Sequence, residues 1–100
     1  MHKLGSMDTT GLTQHARVRM QQRGIGLEVI DDLLAYGRVV HDHRGAEIVF
    51  FDHAGRRRLA REQGEEVIRR LGKRLGTYAV VGPNGQVFTV GHRTRRLYGR

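Results

Sequence analysis

The sequence predicts an α+β domain with two N-terminal helices, a four-stranded antiparallel sheet and an additional basic helix between the second and third strands. Over the first third of the chain, apolar residues recur at the spacing of an α-helix. The spacing then changes to that of a β-strand, and a long Arg-rich segment separates two pairs of strand-like runs. Because a short turn joins each pair, we expect antiparallel strands with helices over one face of the sheet.

Two helices are expected in the N-terminal part of the chain, each ended by a glycine. Thr13 caps the first helix and Gly24 ends it, because helices commonly begin at a hydroxyl side chain and stop at a glycine. Gly26 begins the second helix and Gly37 ends it. The first helix has an apolar stripe beside a basic one, formed by Leu12, Ala16 and Met20 and by His15, Arg19 and Arg23. We expect the apolar stripe to be buried and the basic stripe to border it.

The four strands are expected at residues 38–43, 46–52, 77–81 and 86–92. Arg44-Gly45 turns the first hairpin, and Pro83-Asn84-Gly85, the strongest turn signal in the chain, turns the second. The Arg-rich helix between the hairpins runs from about Gly55 to Leu75 and is broken or bent at Gly64. The predicted core contains Met20, Ile30, Leu34, Phe50, Val80, Phe88 and Val90.

The chain is interpreted as one domain. Residues 1–6 are taken as the translated remnant of a cloning site, and residues 7–100 as a single α+β domain with a basic C-terminal tail. The absence of cysteine excludes disulfides and thiol catalysis, and it is compatible with a reducing compartment. Because there is neither a signal peptide nor an apolar run long enough to span a bilayer, we expect a cytoplasmic protein without a membrane partner.

The charge of the chain indicates a polyanionic partner. There are 18 Lys and Arg against 10 Asp and Glu, which gives a formal net charge of +8. We expect RNA as the partner, with DNA as the alternative. The predicted nucleic-acid ligands are Arg23, Arg57, Arg58, Arg61, Arg69, Arg70, Lys73, Arg74, Arg95 and Arg96. The alternative for the helical part of this set is a solvated face, balanced in part by Glu62, Glu65 and Glu66.

Two histidines are candidates for acid–base chemistry. His15 begins the first helix, and His92 ends the last strand on the face expected to carry Phe88 and Val90. If the helix packs on that face, the two imidazoles meet and could cleave a phosphodiester by general acid–base catalysis. The candidate catalytic residues are His15, His92, Arg19, Arg93 and Thr89, with the two arginines on the phosphate and Thr89 in support. The alternative is that both histidines have structural roles.

A metal site was weighed for the first hairpin and is not expected. His41 and His43 share one strand face, and Asp52 or His53 could complete a ligand set. The predicted hairpin register, however, places Ile48 and Ala46 opposite the two histidines. We therefore expect no metal and no cofactor.

Two segments resemble a known family. They are His15-Ala16-x-x-Arg19-Met20-x-x-Arg23-Gly24-Ile25 and Tyr78-Ala79-Val80-Val81-Gly82-Pro83-Asn84-Gly85-x-Val87-x-Thr89-Val90. Together they are similar to the bacterial and phage-associated domain of unknown function 4258, over roughly Thr13 to Arg93. That family is placed with the small metal-independent ribonucleases and toxins of RelE-like, barnase-like and colicin-like type. The resemblance implies helices followed by an antiparallel sheet, RNA cleavage, and an antitoxin or other acidic protein as a further partner.

The sequence thus favours a metal-independent endoribonuclease that resembles these toxins and cleaves RNA by general acid–base chemistry. One alternative is a nucleic-acid-binding module without catalysis. Another is a protein-interaction domain without nucleic-acid affinity, whose charge only keeps it soluble.

Overall fold

The computed structural model describes residues 11–42 and 44–93. Two helices come first, α1 (Gln14–Arg23) and α2 (Leu27–Tyr36). A hairpin follows, with strands β1 (Arg38–His41) and β2 (Glu47–Phe50). The basic segment forms α3 (His53–Gln63), α4 (Glu65–Leu71) and a 3-10 helix (Gly72–Gly76). The last two strands are β3 (Thr77–Val81) and β4 (Val87–His92). The predicted α+β class and element order are confirmed.

Local signals set the helix ends, and those of α1 are the predicted ones. The Thr13 side chain accepts a hydrogen bond from the backbone N–H of Ala16, which makes it the N-cap of α1. Gly24 ends α1 in the left-handed region at φ 68°, where a side chain would be strained. Asp52, predicted as the end of the second strand, instead caps α3 by accepting from the N–H of Gly55, so this helix begins at His53 rather than at about Gly55. Gly64, at φ 98°, separates α3 from α4, so the predicted break in the basic helix is confirmed.

The four strands form one antiparallel sheet in the order β1-β2-β3-β4. Its buried face packs against α1 beside β4 and against α2 over β2 and β3. The buried cluster joins the helices to this face through Ala16, Met20, Val29, Ile30, Leu33, Leu59, Val67, Leu71, Val49, Ala79, Val81, Val87 and Val90. The opposite side of the sheet, which we call the outer face, carries by alternation Val40, Ile48, Phe50, Tyr78, Val80 and Thr89.

The predicted burial of Phe88 is wrong because β4 contains a bulge. Val80 is paired with Thr89, but Val81 is paired with Val87, so Phe88 is an extra residue in the ladder. The extra residue reverses the alternation before it, since a shift of one position exchanges the two faces of a strand. Val87 and Val90 therefore both face the core, and Phe88 is 40% exposed. Phe88 consequently does not share a face with Val90 and His92.

Two other expectations about burial are corrected, since Leu34 and Val80 are half-buried rather than buried. The predicted burial of Met20, Ile30, Phe50 and Val90 is confirmed. Phe50, at 6% exposure, nevertheless lies outside the main core cluster, because its register places it on the outer face opposite Tyr78.

The first hairpin has a longer loop than predicted. His41 is paired with Glu47 rather than with Ile48. The distance between His41 Nε2 and Glu47 Oε2 is 3.2 Å. The Asp42 carboxylate accepts from the N–H groups of Arg44 and Ala46 and thereby stabilises the longer loop. The predicted role of His43 lies outside the described residues. The second hairpin turns at Pro83–Gly85 as predicted, with the N–H of Gly82 donating to Gln86.

Candidate nucleic-acid interface

The structure places His15 and His92 near opposite ends of β4. The Thr13 hydroxyl donates to the carbonyl of Phe88 over 2.9 Å, so the beginning of α1 is attached to the beginning of β4. His15 follows two residues later and is exposed. His92 ends the strand, about 13 Å farther along at the usual rise per residue. These backbone positions therefore argue against the expected meeting of the two imidazoles.

His92 faces inward, beside another polar side chain. It is paired across the sheet with Thr77, which is fully buried at 0% exposure. Within the described part of the chain, neither His92 Nε2 nor Thr77 Oγ1 has a hydrogen-bond partner, and both atoms are inaccessible. A buried Nε2 cannot reach a phosphodiester at the surface unless the end of β4 moves.

Arg93 is held against the protein at the end of the sheet. Its backbone N–H donates to the Gly76 carbonyl over 2.8 Å, and its guanidinium donates to the Phe51 carbonyl over 3.3 Å. The guanidinium carbon lies 5.0 Å from the centre of the Phe50 ring. Burial, and after it the positive charge of Arg56, lower the pKa of Arg93 below its ordinary value, although the Asp52 carboxylate acts in the opposite direction. Arg93 is thus a half-buried cation close to Arg56.

A groove between α3 and α4 collects further positive charge. It has a volume of about 350 Å³. We call it the basic groove, and its lining residues are His53, Arg56, Arg57, Ala60, Arg61, Glu65 and Ile68. His53, Arg57 and Arg61 are spaced by four residues, so α3 presents them on one side. Because Gly64 redirects the chain, α4 closes the other side of the groove with Glu65 and Ile68.

Two of the groove arginines keep their charge free for a ligand. Arg57 and Arg61 are exposed, and among the residues that the structure describes neither forms a salt bridge. Arg56 is half-buried, and its guanidinium donates to the Leu75 carbonyl over 3.5 Å. Its Nε is buried without a described partner. The groove therefore combines one anchored guanidinium with two exposed ones.

Other predicted nucleic-acid ligands have partners within the protein. Arg58 donates to the Tyr36 carbonyl over 3.0 Å and lies 5.6 Å from the centre of the Tyr36 ring. Arg69 is 4.0 Å from Glu66, and Arg74 donates to the Gly24 carbonyl over 3.4 Å. Three further predicted ligands are exposed, namely Arg23, Arg70 and Lys73. Arg95 and Arg96 lie outside the described residues.

The remaining candidates are spread over different surfaces. Arg19 is half-buried on α1, and its Nε is buried without a described partner. Thr89 is half-buried on the outer face, opposite Val80. Within residues 11–42 and 44–93, no group of three His, Asp or Glu side chains is placed to hold a metal ion. The helices in these two ranges are too short or too polar to cross a bilayer.

From the sequence, His53 was considered only as a metal ligand and Arg56 was not included among the predicted ligands, although both residues line the basic groove. The available signal was the four-residue spacing of His53 with Arg57 and Arg61 on one helix. The opposing wall of the groove had no such signal, because the angle between α3 and α4 depends on how both helices pack.

Comparison with known proteins identifies a family and nothing further. The family model described as a domain of unknown function (DUF4258) matches residues 12–90, which is most of the chain. No curated protein and no solved structure matches this sequence.

Proposed function

This chain belongs to the DUF4258 family, and we propose that it binds RNA by holding the phosphate backbone in the basic groove. The observation that carries the proposal is that three arginines and one histidine line a single groove. Arginine binds phosphate strongly because its planar guanidinium donates two parallel hydrogen bonds.

The overall charge supports the same proposal. A chain with a formal net charge of +8 attracts a polyanion, and each phosphate that it contacts releases condensed counterions. Among the described residues, Arg57 and Arg61 form no salt bridge that a bound phosphate would have to break. Binding at the groove therefore avoids the cost of breaking an ion pair within the protein.

One groove residue favours RNA over DNA. Glu65 lines the groove, and an ionised carboxylate accepts hydrogen bonds but does not donate them. A ribose 2′-hydroxyl is a donor that DNA lacks. We expect Glu65 to accept from that hydroxyl while the arginines hold the neighbouring phosphates.

Cleavage of the bound RNA stays a prediction. The acid–base hypothesis requires His15 and His92 to act on one phosphodiester, but they lie near opposite ends of β4. Binding without catalysis is therefore the function that we propose. An antitoxin or other acidic protein as a second partner also remains a hypothesis, and competition between that protein and RNA for the groove would test it.

Fluorescence anisotropy with a short labelled single-stranded RNA tests the proposal across a series of salt concentrations. Arg57→Gln and Arg61→Gln should each weaken binding and reduce the salt slope by about 0.7. The matched control is Arg44→Gln, which removes the same charge from the turn of the first hairpin, away from the groove. Equal effects of all three substitutions would show that the attraction is diffuse and that the groove is not the site.

A separate variant tests the preference for RNA over DNA. Glu65→Ala should reduce the preference for RNA over a DNA oligonucleotide of the same sequence, while it strengthens binding to both through the lost negative charge. If Glu65→Ala does not change the preference for RNA over DNA, Glu65 does not contact the ribose. If the wild-type protein binds neither nucleic acid near physiological salt, the proposed function is wrong.

A further inference from the structure

The outer face of the sheet carries an aromatic surface that the proposed function does not yet use. The helices in the core cluster pack on the other face, so they do not cover it. Tyr78 lies in β3 on this face, and Phe88 reaches it from the bulge in β4. Phe50 is on the same face at the end of β2.

The Tyr78 and Phe88 rings lie along the sheet rather than projecting from it. A Cβ atom at Gly91 would be 3.0 Å from the Tyr78 hydroxyl oxygen, so the end of that side chain lies over Gly91. A Cβ atom at Gly82 would likewise overlap the far edge of the Phe88 ring. The two glycines leave room for the rings, an arrangement that also shields glycine backbone in a sheet.

The two rings are accessible, whereas Phe50 is not. Phe88 is 40% exposed and Tyr78 is half-buried. A ring that lies along the sheet turns its other side to solvent, and this is the geometry on which a nucleobase stacks. The Phe50 ring, in contrast, already has the Arg93 guanidinium over it.

Arg93 connects this surface with the basic groove. It contacts the Phe50 ring on the outer face, and it lies close enough to Arg56 of the groove for their charges to interact. Positive charge therefore extends from the groove to the end of the sheet where Phe50 is paired with Tyr78. We expect a strand of RNA held at the groove to pass this end of the sheet on its way to the outer face.

We propose that the outer face binds unpaired bases of single-stranded RNA by stacking on Tyr78 and Phe88. This inference rests on the proposed binding of RNA at the groove and adds the strand state of the ligand. The Tyr78 ring lies over Gly91, which is paired with Tyr78, and the Phe88 ring lies over Gly82. Tyr78 and Gly82 are four residues apart, which corresponds to about 13 Å along an extended strand. The rings thus take bases that are not adjacent. A duplex does not fit, because its bases are already stacked inside the helix.

The direct test uses a single tryptophan at the stacking position. The chain contains no Trp, so Phe88→Trp introduces one fluorophore that reports on this position alone. Stacking of a base on the indole should quench its fluorescence when single-stranded RNA is added, whereas the same RNA annealed to its complement should quench it much less. RNA binding without quenching contradicts the proposal.

Affinity measurements on two further variants complete the test. Phe88→Leu keeps an apolar side chain but removes the ring, and it should weaken binding of single-stranded RNA about tenfold with little change for the duplex. Gly82→Ala keeps the Phe88 ring but displaces it, because the added Cβ would overlap the ring, and it should also weaken binding of single-stranded RNA. The control is Val39→Ala, which truncates a side chain that is 45% exposed on β1 on the opposite side of the sheet.

The outcomes separate this inference from the proposed function. If Arg57→Gln weakens binding but Phe88→Leu does not, the groove binds RNA and the outer face does not. If single-stranded and double-stranded RNA bind equally well, selection for unpaired bases is also wrong. If the wild-type protein binds no RNA, both proposals fail together.

Discussion

The Arg93 guanidinium lies over the Phe50 ring, with 5.0 Å between the guanidinium carbon and the ring centre. This contact joins the residue after β4 to the last residue of β2, across the intervening strand β3. The hydrogen bond from the same guanidinium to the Phe51 carbonyl fixes its direction. Arg93 was predicted to hold a substrate phosphate, but it also holds the end of the sheet together.

Arg93→Ala should lower the free energy of unfolding by about 1–2 kcal/mol, since it removes a cation–π contact and a charge-assisted hydrogen bond. Urea unfolding measures this change. Arg93→Lys keeps the charge but loses the planar guanidinium, so it should recover only part of the loss. Arg44→Ala, in an exposed turn, is the control and should change stability little. Equal stability of the Arg93→Ala variant and the wild type would show that the contact is not maintained in solution.

Two phenylalanines should respond very differently to truncation. Phe51 has 0% exposure in the core, and Phe51→Ala should cost about 3–5 kcal/mol. Phe88 is on the exposed side of the bulge, so Phe88→Ala should cost about 1 kcal/mol or less. Thermal unfolding of both variants checks the prediction. A large loss of stability in the Phe88 variant would contradict the bulge in β4.

Thr13 should contribute to stability through two hydrogen bonds at once. Its hydroxyl accepts from the Ala16 N–H and donates to the Phe88 carbonyl, so it caps α1 and attaches that helix to β4. Thr13→Ala should cost about 2 kcal/mol, the upper range for an N-cap. Thr13→Ser keeps the hydroxyl and should restore most of the stability, whereas Thr13→Val keeps the shape and should not. Similar stability for the Ser and Val variants would mean that side-chain volume, not hydrogen bonding, matters at this position.

Substitution of His15 should leave RNA binding nearly unchanged. His15 is exposed on α1 and does not line the basic groove, so His15→Ala removes no proposed contact. A cleavage assay with labelled RNA in a chelator, run on the wild type, His15→Ala and His92→Ala, tests the acid–base hypothesis at the same time. Because the two residues are separated, we expect no activity that requires both of them. If the wild type cleaves RNA and each of the two substitutions abolishes that cleavage, the acid–base hypothesis is supported and the end of β4 must move.

The sequence by itself determined the elements, their order and the ends of the two N-terminal helices. Thr13, Gly24 and Gly64 act on the chain within a few residues of themselves, so their effects on helix ends are readable without the fold. The Pro83–Gly85 turn is similarly local, and it joins two adjacent antiparallel strands as expected. Net charge is a property of composition and needs no structure.

Only the tertiary structure decided which side chains share a surface. The bulge at Phe88 depends on how β4 pairs with β3, and a shift of one residue moved an aromatic ring from the predicted core to the outer face. The separation of His15 from His92 depends on where α1 attaches to β4, and the basic groove depends on the angle between α3 and α4. These relationships arise from contacts between residues far apart in the chain, and the pattern of a single segment does not encode them.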